Sequence, residues 1–520
     1  MVRKKKNLLE IMNNIFKVFL KKEISVLAFF LINTFLFSQQ TWNTKVDSKM
    51  FDVLMSHKEL VSIPNLPADV KKMNDNISWV KNRYEKVGFK IKTLKSSTLP
   101  VLFAERRINP KLKTVLFYFH LDGQPVNPNA WNQKDPFVPV LKELKEDGNW
   151  KTIDWSNLNT EINDDWRVFA RAAADDKAPI IMFLSALELM KANNKSPKFN
   201  IKIIFDLEEE YGSNGFLSTL EKNKSEYKSD YFIIMDGPAH NSNQPTLTFG
   251  CRGIATCSIT TYGAKLPQHS GHYGNYTPNP VFELSRIVSS MKSENGKVLI
   301  KDYYKEVSLS GETQKILNSV PDNTKTINKG LVINQAEKVG KNYQESLQYP
   351  SLNIRQIGTS WKGKGLKTVI PEFATADIDV RLVVETDRVL QLDKIENHLI
   401  GLGYLVLDRD PTDKERLSHK KIVKFKRNRG VNAFRTELNS PFAEKLRNSL
   451  TKTFGKKPIS IRTMGGTVPI IPAINTLKIP AIIVPMVNMD NNQHSPNENI
   501  RIGNIRQGIK ICLSILNTNL

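Results

Sequence analysis

The sequence predicts an α/β protein built on a largely parallel sheet, and three observations carry that reading. Short apolar runs alternate with helical patterns through the middle of the chain, as expected of parallel strands joined by crossover helices. Four of those runs lead directly into acids or histidines, which in open α/β sheets gather on the rim beyond the carboxyl ends of the strands. At 520 residues the chain also exceeds what one core usually organises, so a second domain is expected.

Taken in order, the chain begins with Arg3, Lys4, Lys5, Lys6, Lys17, Lys21 and Lys22, followed by an apolar stretch over residues 24–37. That stretch of about fourteen residues is short of the roughly twenty that span a bilayer, and residues 1–38 read as a cleaved export signal. The residues around the cleavage point lack a clean small-x-small pattern, which keeps an uncleaved membrane anchor as the alternative. Met12 is a second candidate start. Cleavage near Ser38 removes seven basic and two acidic residues and lowers the net charge from +23 to +18. The lysines are scattered among acids without a nucleic-acid motif, so the charge reads as solvated surface and no nucleic-acid partner is expected. Cys251, Cys257 and Cys512 form no CxxC pair, which excludes a disulfide framework and argues against a thiolate metal site.

The first informative strand is TVLFYFH, ending at His120. RAAADDKAPIIMFL then sets Asp175 and Asp176 at the mouth of an apolar run that reads as a mostly buried helix, where acids in the first turn are ordinary. FNIKIIFDLEEE runs into Glu208, Glu209 and Glu210, and SDYFIIMD ends at Asp236. From about residue 252 to 436 the pattern changes to amphipathic segments and the polar stretch KNYQESLQYPSLNIRQ. IPAIIVPM follows, and then NQHSPNE with His494. Each polar residue has a bland reading on its own: a satisfied core histidine, a helix-start charge cluster, a turn acid, a surface loop. Gathered on one rim, two histidines and several carboxylates make a hard-to-borderline metal site.

These segments also carry a resemblance. LFYFHLDGQPVNPNAWNQKDPFVPV resembles the HxDxQP segment of the M20 family of dimetal metallopeptidases, its carnosinase-like dipeptidase branch in particular. ARAAADDKAP is similar to the family's GRGxxDDKG segment, DLEEEYGS to xEExGS and MGGTVP to GGxIP, while HSG, VIPEFATADIDVRLV and NQHSPNE match further patterns. The matches run in family order from about residue 50 to the C-terminus.

The resemblance implies a division into a signal (1–38), a catalytic metal-binding domain in two parts (39–251 and 438–520) and an inserted α+β lid and dimerisation domain (252–437). It implies two divalent metal ions, Zn first, with Mn and Co also suited to the ligand types. Asp175 would bridge them, joined to Asp176 through a cis peptide, with His120 and Asp236 on one metal and Glu210 and His494 on the other. Asp122 would orient His120, and Glu209 would be the general base. Arg381 would grip the substrate's terminal carboxylate, Gly465, Gly466 and Thr467 would line its path, and His269 would reach into the site of a partner subunit. For Arg381 a lid-surface salt bridge remains the alternative, and for the glycine loop a simple turn.

The implied reaction is hydrolysis of a peptide bond in dipeptides or at the C-terminus of short peptides, by a metal-bridging hydroxide with Glu209 as base. An N-acyl amino acid deacylase is the alternative. A binding protein on a retired hydrolase scaffold would have lost the base or a ligand, and all are present. Departures from the family are Ala170, Ala172 and Ala178 where it carries glycines, and Gly123 where a bulkier aliphatic is common. These put loop geometry and substrate fit in question more than metal binding.

Overall fold

The structure, a computed structural model, describes residues 42–360 and 368–520. The export-signal reading falls on residues outside that range. Among the described residues no helix is long and apolar enough to cross a membrane.

An eight-stranded sheet organises the larger part of the molecule. At its centre lie four mutually parallel strands: Asn200–Asp206, Thr114–His120, Tyr231–Ile234 and Ala481–Ile483. Every residue of Asn200–Asp206 is buried, which is why that run is continuously apolar instead of alternating. The register pairs His120 with Asp206 and Tyr118 with Ile234. One edge of the sheet therefore delivers His120, the glutamates that follow Asp206, and Asp236. Antiparallel strands Lys90–Leu94 and Val101–Arg106 close one side, and Thr246–Thr248 pairs antiparallel with Ala481–Ile483 on the other.

The apolar run after Asp176 forms the helix Lys177–Ala192, with nearly all of its residues buried. A helix apolar all round needs cover on all sides. The sheet supplies part of it, through Phe117 and Phe119 against Phe183, and the C-terminal helix Ile502–Leu516 supplies more. The two helices approach closely at Gly508, where a Cβ would lie 2.1 Å from Met182 Sδ.

A four-stranded sheet pairs Arg167–Phe169 antiparallel with Asn499–Arg501. This pairing ties the residues before Asp175 to those after His494, although they lie over three hundred positions apart. A separate five-stranded sheet is centred on Gly253–Tyr262 and Phe373–Leu382, with the helices Pro280–Met291 and Arg388–Gly401 packed against it around their own apolar core. The architecture is α/β, with a mostly parallel central sheet and a second α+β layer that has its own core.

Candidate active site

Two groups of potential metal-binding side chains meet at Asp175. His120, Asp175 and Asp236 form one, and Asp175, Glu210 and His494 the other, each with its donor atoms within 4.8 Å of one another. The two carboxylate oxygens of Asp175 face different ways. Oδ1 lies 2.9 Å from His120 Nε2, and Oδ2 lies 3.1 Å from His494 Nε2. Glu210 Oε2 is 3.0 Å from the same His494 nitrogen and accepts a hydrogen bond from Gln124 Nε2 at 2.7 Å.

Asp122 sits behind this cluster, fully buried. Its Oδ1 is 3.3 Å from His120 Nδ1, and its two oxygens accept from the backbone N–H groups of Glu209 and Glu210 at 3.0 Å each. One carboxylate thus fixes an imidazole and the turn that carries two glutamates. The adjoining Gly123 fits because its N–H donates to Asn65 O at 3.1 Å, and a Cβ there would come 2.9 Å from the Asn65 amide nitrogen. A larger aliphatic at that position has no room beside Asn65.

The segment before Asp175 is held from several sides. Glu498, completely buried, pairs with Arg171 Nη1 at 2.7 Å and accepts from the N–H groups of Ala172, Ala174 and Asp175 at 3.0 Å each. His57 Nε2 is 2.9 Å from Ala173 O, and the buried Lys177 ammonium donates to Leu60 O and Ile63 O. Ala172 adopts φ +59, a left-handed conformation that glycine takes without cost and alanine does not. The structure thus shows what a glycine would do at that position and what keeps an alanine there. The Asp175-Asp176 peptide is cis. Asp176 occupies the cap position of the following helix yet makes no side-chain cap hydrogen bond; instead its Oδ2 accepts from His120 N at 3.2 Å. The two acids are therefore not a helix-start charge cluster.

The electrostatics follow from crowding acids around two imidazoles, that of His120 buried and that of His494 half-exposed. Hydrogen bonds to Asp175 and Glu210 push His494 up to about 10. Burial opposes protonation of His120, but Asp122 and Asp175 outweigh it and hold that imidazole well above its usual range. Burial and then the neighbouring Asp175 push Asp236 up to about 6. Desolvation, reinforced by Asp236, Asp175 and Glu210, holds Glu209 well above the usual carboxylate range.

The other residues singled out by the sequence fall into two places. Arg381 Nη1 donates to Thr467 Oγ1 at 2.8 Å, and that hydroxyl donates to Arg252 O at 2.7 Å, so the arginine and the glycine loop form one unit. Gly465 and Gly466 share a cavity wall with Asp236. His269 lies elsewhere, exposed on the short strand Gln268–His269: its Nδ1 accepts from Gly271 N at 3.0 Å, and its Nε2 is 3.4 Å from Thr368 Oγ1. Sequence reasoning missed Glu498, Arg171 and His57. Glu498 stands four residues past His494, but nothing local to it signals that its partners lie at 171–175.

The family model described as Peptidase family M20/M25/M40 matches residues 116–518. The chain belongs to this family. It is similar to the Cys-Gly metallodipeptidase dug1 of Schizosaccharomyces pombe, at 26% identity over 487 residues covering 90% of this chain and 95% of that protein. It is also similar to the Beta-Ala-His dipeptidase of Mus musculus, at 27% identity over 420 residues covering 79% of this chain and 78% of that one. Among solved structures, the M20 family metallo-carboxypeptidase Sso-CP2 from Sulfolobus solfataricus superposes with a TM-score of 0.70 at 25% identity, covering 89% of this chain and 98% of that one. As an M20 member the chain is a metallopeptidase, and the cluster around Asp175 supplies candidate ligands for its metals.

Proposed function

We propose that this chain hydrolyses the peptide bond of dipeptides, and releases the last residue of short peptides, at the cluster around Asp175. The observation that carries the reading is the pair of three-residue groups sharing that one carboxylate. The donor set fits divalent cations: two imidazoles and three carboxylates, without sulfur, match Zn best and suit Mn and Co as well. His120 and Asp236 would hold one ion, Glu210 and His494 the other, and Asp175 both. Bound there, the ions would acidify water and polarise the scissile carbonyl.

The chain's own residues account for the remaining work. Glu209 belongs to neither group, so its carboxylate is free to take a proton from the attacking water and pass it to the leaving amine, a step worth roughly 10² to 10⁴ in rate. Asp122 positions this base and one imidazole together. Arg381, held by Thr467, offers a planar fork to the substrate's terminal carboxylate, with Gly465 and Gly466 allowing backbone N–H groups to come near. We take residues 252–437 as the lid and dimerisation domain, with His269 serving the site of a second copy. A signal over residues 1–38 would send the enzyme out of the cytoplasm.

Glu209→Gln tests the assignment. The variant is expected to keep both metals while kcat on a dipeptide falls at least 10²-fold, read by metal analysis beside steady-state kinetics. Metal loss, or kcat within tenfold of wild type, would remove Glu209 from the role of base.

A further inference from the structure

A cavity of about 710 Å³ opens beside Asp236, Gly465 and Gly466 and extends to the segment 322–347; Arg381 and Thr467 do not line it. Its size is that of a site for a small organic group. One wall belongs to the catalytic sheet and its loops, through Ile461, Met464 and Ile483; the other comes from the segment 322–347, through Ile327, Leu331 and Leu347. The helix Thr324–Leu331 buries none of its residues, and Leu331 stays 63% exposed at the cavity. Apolar side chains left uncovered at the entrance to a reaction centre mark a place for an apolar partner.

The acid and the histidine set back in the cavity are already engaged with one another, while Gln344 Oε1 is left without a partner. Asp322 Oδ1 lies 3.0 Å from His240 Nε2, and its Oδ2 accepts from Gln344 Nε2 at 2.7 Å. His240 Nδ1 is in turn 2.9 Å from Ser242 Oγ. With no lysine or arginine in the lining and its second acid paired twice over, the cavity offers a guest mainly apolar contact.

The geometry points to the guest. We infer that the cavity receives the side chain on the carbonyl side of the scissile bond, and that this enzyme prefers dipeptides whose first residue is bulky and apolar. The inference rests on the proposed function, because it takes the substrate's carboxylate to sit at Arg381; the residue across the scissile bond then faces Asp236 and the space beyond it. The relatives' names set the contrast. Cys-Gly has a small first residue, and the β-alanine of Beta-Ala-His has no side chain at all.

The test measures kcat/KM of the metal-loaded enzyme on Phe-Gly, Leu-Gly, Gly-Gly and Gly-Phe. Phe-Gly and Leu-Gly are expected to exceed the other two by tenfold or more, since pockets of this kind discriminate at about that level per apolar group. Leu331→Lys, at an exposed position where folding is not at stake, should lower the ratio of Phe-Gly to Gly-Gly by about tenfold. Parity between Phe-Gly and Gly-Phe, or an unchanged ratio in the variant, would overturn the inference. Calorimetric binding of the same dipeptides to metal-loaded Glu209→Gln separates this inference from the reading beneath it. Tighter binding of Phe-Gly than Gly-Gly with no hydrolysis by wild type would uphold the cavity and overturn the dipeptidase reading. Equal hydrolysis of all four would uphold the dipeptidase reading and overturn the cavity.

Discussion

The loop at 170–176 and the lid tip at 268–274 both carry residues assigned to the reaction, and they are built in opposite ways. Around Asp175 the backbone is fixed by a buried carboxylate that takes three N–H groups and an arginine, by a buried histidine, and by a lysine with no solvent contact. Around His269 the chain is exposed, tied down by a two-residue strand pair with Val369 and Ile370 and by the turn of the helix Ser270–Tyr273. The difference teaches where precision is supplied. The candidate metal ligands are brought together within one chain and braced by buried hydrogen bonds, whereas His269 is exposed on its own short strand.

The largest effect is expected from breaking the rigid side at its centre. Asp175→Ala removes a donor from both groups at once, so both metals should be lost on dialysis and hydrolysis should fall to background, whereas His494→Ala should chiefly weaken one metal. Metal stoichiometry per chain separates these, and two retained metals in Asp175→Ala would show that the carboxylate does not bridge.

Next in size is Glu498. Glu498→Gln keeps the shape but leaves buried Arg171 without a charged partner, and removing one member of a buried pair costs about 3 to 5 kcal/mol. The thermal midpoint should fall by many degrees, while His269→Ala, on the exposed tip, should change stability by no more than about 0.5 kcal/mol. Equal midpoints in the two variants would dissolve the contrast between the regions.

How much of this was legible in the sequence follows from the same contrast. His120, Glu210 and Asp236 could be found because strands announce their ends, His494 because it follows the last apolar run, and Asp175 because the resemblance of ARAAADDKAP to a family segment singled it out from an ordinary helix start. The parallel sheet puts the first three on one rim, and the antiparallel pairing of Arg167–Phe169 with Asn499–Arg501 brings the other two to it. The second sheet could be anticipated from a change of pattern after residue 252. Glu498, Arg171 and His57 were not legible, because a buried polar group looks like any other polar residue until its partner is known, and here the partners are separated by 116 to 327 positions. The alanines at the loop raised a question that the sequence could not answer. The structure answers it with Ala172 at positive φ, held there by Glu498. The apolar cavity was equally hidden, since its walls come from separate segments, 236–248 and 461–489 on one side and 322–347 on the other, and none is apolar enough to stand out.

The smallest effect is the most telling about the lid. If His269 serves a second copy, a dimer of Glu209→Ala chains and a dimer of His269→Ala chains should each be nearly inactive, since every site in either lacks one of the two groups. In a mixed dimer one site lacks both groups and the other lacks neither. Co-expression with two affinity tags isolates that mixed dimer, and activity about half that of wild type per dimer is expected, a factor of two where the parent variants differ by orders of magnitude. His269 is exposed, and among the described residues its ring meets only Gly271, Thr368 and the ring of His272. Were the histidine to act on its own chain's site, every site in the mixed dimer would lack one group and no activity would return. A verified mixed dimer without activity would sink the shared-site arrangement and leave the metal cluster as it stands.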